Sequence, residues 1–115
     1  DIGFIVAHGS GTRKGDRSEL RSIIDVLNDN LTIPLCGLKP CTGHMGASSD
    51  IAEVVLGLLS ARNKSVPGTL NFHAAEEEFA SLRISSAPQQ CHNNTFLSIS
   101  YGVGGQSSTV IVESL

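Results

Sequence analysis

Two histidines occupy matching positions in the sequence, each in a glycine-containing loop between a predicted strand and a predicted helix. His8 follows the apolar run Ile2–Ala7, and His44 comes shortly after the second apolar run, Ile33–Leu38. In open α/β sheets, ligands bind beyond the carboxyl ends of the strands. An imidazole at that edge can donate a hydrogen bond or exchange a proton near neutral pH. The pair therefore predicts a catalytic site, with two hydrogen-bonded loop histidines as the alternative, and Lys39 would by itself be a surface lysine.

The glycine-rich segments do not fit the common nucleotide-binding motifs. Gly9–Thr12 lacks the spacing of a phosphate-binding loop, because Lys14 is followed by Gly15 rather than by serine or threonine. Gly102–Gly105 lies between two predicted strands, whereas a dinucleotide fingerprint opens a helix. A tight hairpin turn is the simpler prediction for this second segment.

Cysteine content and charge exclude several further classes of protein. Three cysteines without a CxxC pair support neither a disulfide framework nor a zinc site, so we predict no metal and expect a reducing, cytoplasmic environment. Eight basic against eleven acidic side chains, with no basic run, argue against nucleic-acid binding. The longest apolar stretch, Ile51–Leu59, contains Glu53 and is too short to span a bilayer, so no membrane is expected as a partner.

The elements that must position the histidines alternate between strands and helices. The first helix is predicted to begin at Asp16, with Glu19 completing a capping box. The second is predicted to begin with its caps in Ser48–Asp50. The alternating segments Asn94–Tyr101 and Ser107–Glu113 predict a terminal hairpin. Together with the two apolar strands, these elements predict an α/β fold with a mixed sheet.

The second predicted helix is apolar almost all round, which is unusual in a chain of 115 residues. One face is formed by Ile51, Val54, Val55, Leu58 and Leu59, and the opposite face has almost no charge before Arg62. Such a helix is typically buried on all sides, which needs more layers than a domain of this length supplies. The charged fraction of only 17% and the lack of an initiator methionine fit the same interpretation. We therefore expect the chain to be part of a longer polypeptide.

Taken together, the loops resemble the C-terminal part of a β-ketoacyl synthase, the condensing enzyme of fatty-acid and polyketide synthesis. His8–Thr12, with Asp16 and Glu19, is similar to the family's HGTxT…D…E stretch, and Lys39–His44 to its KxxxGH stretch. Tyr101–Gln106 resembles the family's terminal FGFGG(T/Q)N loop. The resemblance covers nearly the whole chain and implies a thiolase-like fold, in which two related α/β halves pack as five αβαβα layers. The chain would be part of the C-terminal half.

The resemblance also implies a reaction and the residues that carry it. The family transfers an acyl chain to a cysteine, decarboxylates malonyl carried on acyl carrier protein and joins the two units. His8 and His44 would donate hydrogen bonds to the malonyl thioester oxygen, and Lys39 would orient and tune the histidines electrostatically. Ser10 and Thr12 would contact the phosphopantetheine arm of the carrier protein. No bound cofactor is implied.

The terminal loop carries both an implied function and the main departures from the family pattern. The backbone N–H of Val103 would be an oxyanion-hole donor, in a loop that continues through Gly104 and Gly105. Val103 stands where the family usually has a gating phenylalanine, and Ser107 replaces the usual asparagine. These departures leave open an alternative function as a non-catalytic partner subunit of the chain-length-factor type.

The resemblance implies three partners: acyl carrier protein, the N-terminal half of the same protein, and a second copy in a homodimer of the parent. In the family, the nucleophilic cysteine lies in the N-terminal half. Cys36, Cys41 and Cys91 do not have the sequence context of that nucleophile. We therefore expect the chain alone to be inactive in condensation. An isolated module that binds carrier protein is a third interpretation.

Overall fold

A computed structural model of the protein describes residues 1–28, 31–102 and 104–115. In chain order, the elements in these ranges are β1 (Phe4–Ala7), α1 (Arg13–Leu27), β2 (Pro34–Gly37), α2 (Lys39–Thr42), α3 (Ala47–Asn63), β3 (Ser65–Val66), β4 (Arg83–Ile84), β5 (Gln89–Gln90), β6 (Thr95–Tyr101) and β7 (Ser107–Glu113). A 3-10 turn at Glu77–Phe79 precedes β4. The predicted α/β class is confirmed, and so is the terminal hairpin, which β6 and β7 form as an antiparallel pair.

A mixed five-stranded sheet lies at the centre, in the order β4-β2-β1-β6-β7. β1 pairs in parallel with β2, where Ile5 lies opposite Leu35, and with β6, where Phe4 lies opposite Phe96. All four residues of β1 are buried, because a central parallel strand is covered on both faces. The carboxyl ends of β1, β2 and β6 therefore meet at one edge of the sheet.

Helices α1 and α3 cover opposite faces of this sheet. Successive residues of β1 point to opposite faces, so Ile5 packs with Ile23 of α1, and Phe4 packs with Ala61 of α3. The rings of Phe4 and Phe96 stack under α3, with their centroids 5.0 Å apart. The result is a helix–sheet–helix sandwich that holds the edge of the sheet rigidly.

Helix α1 begins earlier than predicted, at Arg13, with Thr12 as its N-cap. The Oγ1 of Thr12 accepts a hydrogen bond from the backbone N–H of Gly15 (3.3 Å), so the prediction of Asp16 as the N-cap is wrong. Threonine and aspartate cap a helix in the same way, and here the earlier of the two does so. Asp16 instead lies in the first turn, where a negative charge is favoured by the helix dipole. Glu19, predicted to complete a capping box, points to the loop after β1.

Two further helix boundaries differ from the prediction. The segment after β2, predicted as a loop, forms the short helix α2, whose first turn contains Pro40, a residue whose fixed φ suits that position. Helix α3 begins at Ala47 rather than after a cap in Ser48–Asp50. Its N-cap is Gly46, with a φ of +63° that favours glycine. The predicted cap Ser49 is instead fully buried, and its Oγ accepts a hydrogen bond from the backbone N–H of Met45 (2.8 Å).

Helix α3 buries mainly small and polar residues, packs Val54, Leu56 and Leu58 partly against the core, and exposes three other large apolar residues. The buried residues are Ser49, Glu53, Gly57, Ser60 and Ala61. Ile51, Val55 and Leu59 on the outer face are 72%, 50% and 50% exposed. An apolar outer face of this kind is typical of a helix that has protein on both sides. Among the described helices, none is both long and apolar enough to cross a membrane.

Candidate active site

His8 is the first residue after β1 and lies at the edge where the three strands end. The Nδ1 of its buried ring accepts a hydrogen bond from the backbone N–H of Tyr101 at the end of β6 (3.2 Å). A nitrogen that accepts this bond carries no proton in the neutral imidazole, so the ring proton is on Nε2. The ring of Tyr101 also meets that of His8 edge-on, with centroids 5.3 Å apart. The pairing of β1 with β6 therefore fixes both the tautomer and the orientation of His8.

The backbone of His8 is held by Glu19, which projects from α1. The two carboxylate oxygens of Glu19 accept hydrogen bonds from the backbone N–H groups of His8 (2.6 Å) and Gly9 (2.9 Å). The chain turns at Gly9 with a φ of +51°, which glycine adopts without steric cost. Sequence reasoning missed this role. The available signal was the position of Glu19 four residues before Ile23, on the face of α1 that packs against the sheet.

Lys39 and Glu53 form a buried ion pair directly beneath this loop. The Nζ of Lys39 donates to the backbone carbonyl oxygen of His8 (2.6 Å) and to Oε1 of Glu53 (2.9 Å). Lys39 is 6% exposed and Glu53 is fully buried. Glu53 was not predicted as a site residue, although it is the one charged side chain within the apolar stretch 51–59. A charge inside an otherwise apolar helix indicates a buried partner.

His44, after α2, presents the second imidazole. Its ring is exposed and meets the ring of His8 edge-on, with centroids 5.5 Å apart and an interplanar angle of 80°. The Nδ1 of His44 accepts a hydrogen bond from the backbone N–H of Gly46 (3.1 Å), which again places the proton on Nε2. Both histidines therefore carry an Nε2–H donor while their Nδ1 atoms are occupied by backbone N–H groups.

The two imidazoles border a cavity of about 270 Å³ at the edge of the sheet. Its lining consists of His8, Ser10, Gly15, Glu19, His44, Tyr101 and Gly102. Thr12 is not in this lining, but its Oγ1 lies 3.0 Å from the Oγ of Ser10. Of the predicted site residues, the structure thus brings His8, His44 and Ser10 to one cavity, with Lys39 behind them.

The terminal loop reaches the same cavity through Tyr101 and Gly102. Gly104 and Gly105 are exposed and adopt positive φ angles of 94° and 84° in the turn between β6 and β7. Neither belongs to the cavity lining. Val103, predicted as an oxyanion-hole donor, lies outside the described residues.

The electrostatics of the site keep His8 neutral and disfavour charge on the acids behind it. Burial, and then the positive charge of Lys39, lower the pKa of His8. Burial raises the pKa of Glu53, and the hydrogen bond from Lys39 opposes that effect. Burial also raises the pKa of Glu19, against its two backbone hydrogen bonds. A neutral His8 with its proton on Nε2 is a hydrogen-bond donor that carries no net charge.

The cysteines are not arranged as nucleophiles for this cavity, since none of the three lines it. Cys36 and Cys91 are buried and Cys41 is exposed on α2. Burial raises the pKa of the Cys36 thiol to about 12, which leaves it protonated and unreactive at neutral pH. Within the described ranges, no three histidine, cysteine or acidic side chains are grouped so that they could hold a metal ion.

The sequence matches one family model, described as β-ketoacyl synthase, C-terminal domain, over residues 1–73. This match covers more than half of the chain and includes both histidines and the lysine. The chain belongs to the β-ketoacyl synthase family. The resemblance predicted from the loop motifs is therefore confirmed at the level of the family.

Two β-ketoacyl synthase relatives and one solved complex show how far the similarity extends. The chain is 27% identical over 114 residues to 3-oxoacyl-[acyl-carrier-protein] synthase 1 of Escherichia coli K12, covering 99% of this chain and 28% of the relative. It is 31% identical over 114 residues to a putative polyketide beta-ketoacyl synthase 1 of Streptomyces halstedii, covering 97% of this chain and 27% of the relative.

The solved structure is the AntDE:AntF complex, a type II PKS acyl-carrier protein in complex with its ketosynthase bound to the hexaketide. It matches with a TM-score of 0.90 at 28% identity, over 99% of this chain and 28% of that chain. The predicted thiolase-like α/β fold is confirmed by this match. The chain thus spans little more than a quarter of the length of these β-ketoacyl synthase relatives.

Proposed function

We propose that this chain supplies the decarboxylation part of a ketosynthase active site, with His8 and His44 as its catalytic residues. Malonyl on acyl carrier protein would lose its carboxylate as CO2, and the electron pair would move onto the thioester oxygen to form an enolate. The two Nε2–H groups would donate to that oxygen. The observation that carries the proposal is that both Nδ1 atoms accept backbone N–H groups, so both rings offer the same donor to one cavity.

The enolate carbon would then attack the acyl thioester held on a cysteine, which leaves as the thiolate. None of the cysteines in this chain lines the cavity, and the relatives are matched over only part of their length. We therefore assign the nucleophile to an N-terminal half of a full-length parent and expect this chain alone to be inactive. A homodimer of that parent is part of the same proposal.

Lys39 is a positioning residue in this scheme, because its ammonium bonds to the backbone of His8 and to Glu53 rather than to the cavity. Its positive charge also favours the neutral form of His8. Ser10 lines the cavity and holds Thr12 by a hydroxyl contact, which suits the polar phosphopantetheine arm of a carrier protein. The relative solved in complex with its acyl-carrier protein supports such a partner. We propose no cofactor besides the phosphopantetheine arm that the carrier protein brings. Gly104 and Gly105 are proposed to shape the loop that carries the oxyanion donor.

The test is malonyl decarboxylation by the full-length parent with His44→Ala or His8→Ala. Removing one preorganised donor typically lowers kcat by about 10²–10³-fold, and we expect that loss here. Acyl transfer to the nucleophilic cysteine serves as the control and should persist, since it does not need the enolate donors. Decarboxylation at the wild-type rate in His44→Ala would refute the assignment.

A second candidate, a chain-length-factor type of partner subunit, is favoured by Val103 and Ser107, which depart from the catalytic loop pattern. The upstream sequence of the parent separates the two functions. A cysteine at the N-terminus of a buried helix in that upstream sequence supports the enzyme, and glutamine or serine there supports the partner subunit.

A further inference from the structure

The cavity beside the histidines presents an anionic ligand with hydrogen-bond donors rather than with a lysine or arginine side chain. Among its described lining residues there is neither lysine nor arginine. The ammonium of Lys39 lies behind the loop, hydrogen-bonded to the His8 carbonyl and to Glu53. His8 is held neutral by its lowered pKa, caused first by burial and then by the charge of Lys39. A carboxylate that enters the cavity therefore meets histidine and hydroxyl side chains rather than a lysine or an arginine.

The lining side chains carry four hydrogen-bond donors: the Nε2–H groups of His8 and His44, and the hydroxyls of Ser10 and Tyr101. In the proposed function the two imidazoles bind the thioester oxygen. The Oγ of Ser10 lies 3.0 Å from that of Thr12. Within the described part of the chain, the hydroxyl of Tyr101 has no hydrogen-bond partner, although the ring is fixed beside His8. Tyr101 lines the same cavity and is 38% exposed, so its hydroxyl is accessible to a second group on the substrate.

We propose that Tyr101 is a specificity-determining residue whose hydroxyl donates a hydrogen bond to the carboxylate of the malonyl unit before decarboxylation. This inference rests on the proposed function. The motif that the terminal loop resembles has phenylalanine at this position, so tyrosine adds one hydroxyl to a ring that is otherwise retained. Burial and the nearby negative charge of Glu19 raise the pKa of Tyr101, which keeps the phenol protonated and able to donate at neutral pH.

The timing of this hydrogen bond decides its kinetic effect. The bond exists while the carboxylate is present and is lost as CO2 departs, so it stabilises the bound substrate more than the transition state. An interaction that is lost in the transition state lowers KM and also lowers kcat, because it deepens the ground state from which the barrier is measured. Tyr101 would thus make malonyl thioesters bind more tightly than thioesters without a carboxylate, and it would not accelerate the chemical step.

The test compares two pantetheine ligands that cannot react: an amide-linked malonyl pantetheine, and its acetyl counterpart, which lacks only the carboxylate. Both are titrated calorimetrically into the full-length parent and into its Tyr101→Phe and Ser10→Ala variants. Tyr101→Phe should bind the malonyl ligand about tenfold more weakly, as expected for the loss of one hydrogen bond to a charged group. Its affinity for the acetyl ligand should equal that of the wild type. Ser10→Ala should weaken both ligands alike, because they share the pantetheine arm. In turnover, Tyr101→Phe should raise the KM for malonyl carrier protein about tenfold, and kcat should rise with it where decarboxylation limits turnover.

Each contrary result overturns a different part of the proposal. Equal affinity of wild type and Tyr101→Phe for the malonyl ligand, with wild-type binding intact, overturns the tyrosine assignment alone. A Tyr101→Phe variant with lower kcat and unchanged KM places the hydroxyl on the developing enolate and overturns the role in ground-state binding. A wild-type parent that binds neither ligand overturns the proposed function together with this inference.

Discussion

Lys39 donates a hydrogen bond from its Nζ to the backbone carbonyl oxygen of His8, 2.6 Å away. The same ammonium pairs with Oε1 of Glu53, at 2.9 Å. One buried cation therefore joins the end of β1, the start of α2 and the sheet-facing side of α3. The backbone at His8 is therefore held by an ion pair whose two side chains do not line the cavity.

Removing Lys39 from this pair should lower the free energy of unfolding strongly. Removing both partners should lower it by less than the sum of the two single losses. Lys39→Met leaves the fully buried carboxylate of Glu53 without its partner, which costs about 3–5 kcal/mol of unfolding free energy in comparable buried pairs. Because burial raises the pKa of Glu53, protonation relieves part of this cost, so we expect the lower end of that range. In the double variant Lys39→Met/Glu53→Gln the losses should be less than additive by at least about 1 kcal/mol. Urea unfolding of the four proteins in the cycle measures this, and strictly additive losses would argue against the pair.

Glu19 should matter for stability through its two backbone hydrogen bonds rather than as a helix cap. Glu19→Ala leaves the N–H groups of His8 and Gly9 without acceptors, and each such group costs about 1–3 kcal/mol when buried. Glu19→Gln retains one acceptor oxygen and should lose roughly half as much. Asp25→Ala, at an exposed acidic residue of the same helix, is the matched control and should stay within about 0.5 kcal/mol of wild type. Equal unfolding free energies for Glu19→Ala and Asp25→Ala would contradict the role.

The proximity of His8 and His44 could be predicted from the sequence, whereas the buried ion pair beneath them could not. Apolar runs that end in glycine-containing loops indicate the carboxyl ends of neighbouring strands, and those ends necessarily share an edge. Lys39 taken alone was expected at the surface, yet it is 6% exposed. Its burial depends on Glu53, fourteen residues away on another helix, and the choice of partner in a buried ion pair is made by tertiary packing.

The predicted start of helix α1 was wrong, and two short strands were not predicted, for a different reason. Thr12 and Asp16 both satisfy the chemistry of an N-cap, and only the path of the chain after β1 decides between them. The two-residue strands β3 and β5 are too short to show any periodicity, so the sequence contains no signal for them. Long elements with a clear alternation, such as the β6–β7 hairpin, could be predicted because their pattern repeats over seven residues.

Gly57 should not tolerate a side chain, although alanine is the better helix former. A Cβ at this position would overlap the ring of Phe96, with Cδ2 only 3.0 Å away and two further ring atoms closer. Overpacking of this kind costs about 1–3 kcal/mol, against a gain of about 1 kcal/mol in helix propensity. We expect Gly57→Ala to lower the urea midpoint. In a Phe96→Leu background the same substitution should be markedly less harmful, and an equal penalty in both backgrounds would show that the ring is not the cause.

The lowered pKa of His8 gives the site a defined response to acid. Burial, Lys39 and His44 lower this pKa in that order, so between the usual histidine value of about 6.5 and the folded value the unfolded chain binds the proton and the folded chain does not. The contribution of His8 to stability is therefore complete above about pH 6.5 and is lost as the pH falls through the folded pKa.

Protonation would also place a hydrogen on Nδ1, opposite the N–H of Tyr101. Malonyl decarboxylation by the full-length parent should consequently stay constant down to about pH 6.5 and fall only at lower pH. Lys39→Gln removes the second-largest cause of the shift, so the acid limb of the rate profile and the NMR titration of His8 should both move upward in pH. Lys14→Gln, which removes an exposed charge from α1, should leave both unchanged. If the acid limb of the wild type lies at or above about pH 6.5, or if Lys39→Gln does not move it, protonation of His8 is not the cause of the fall in decarboxylation rate.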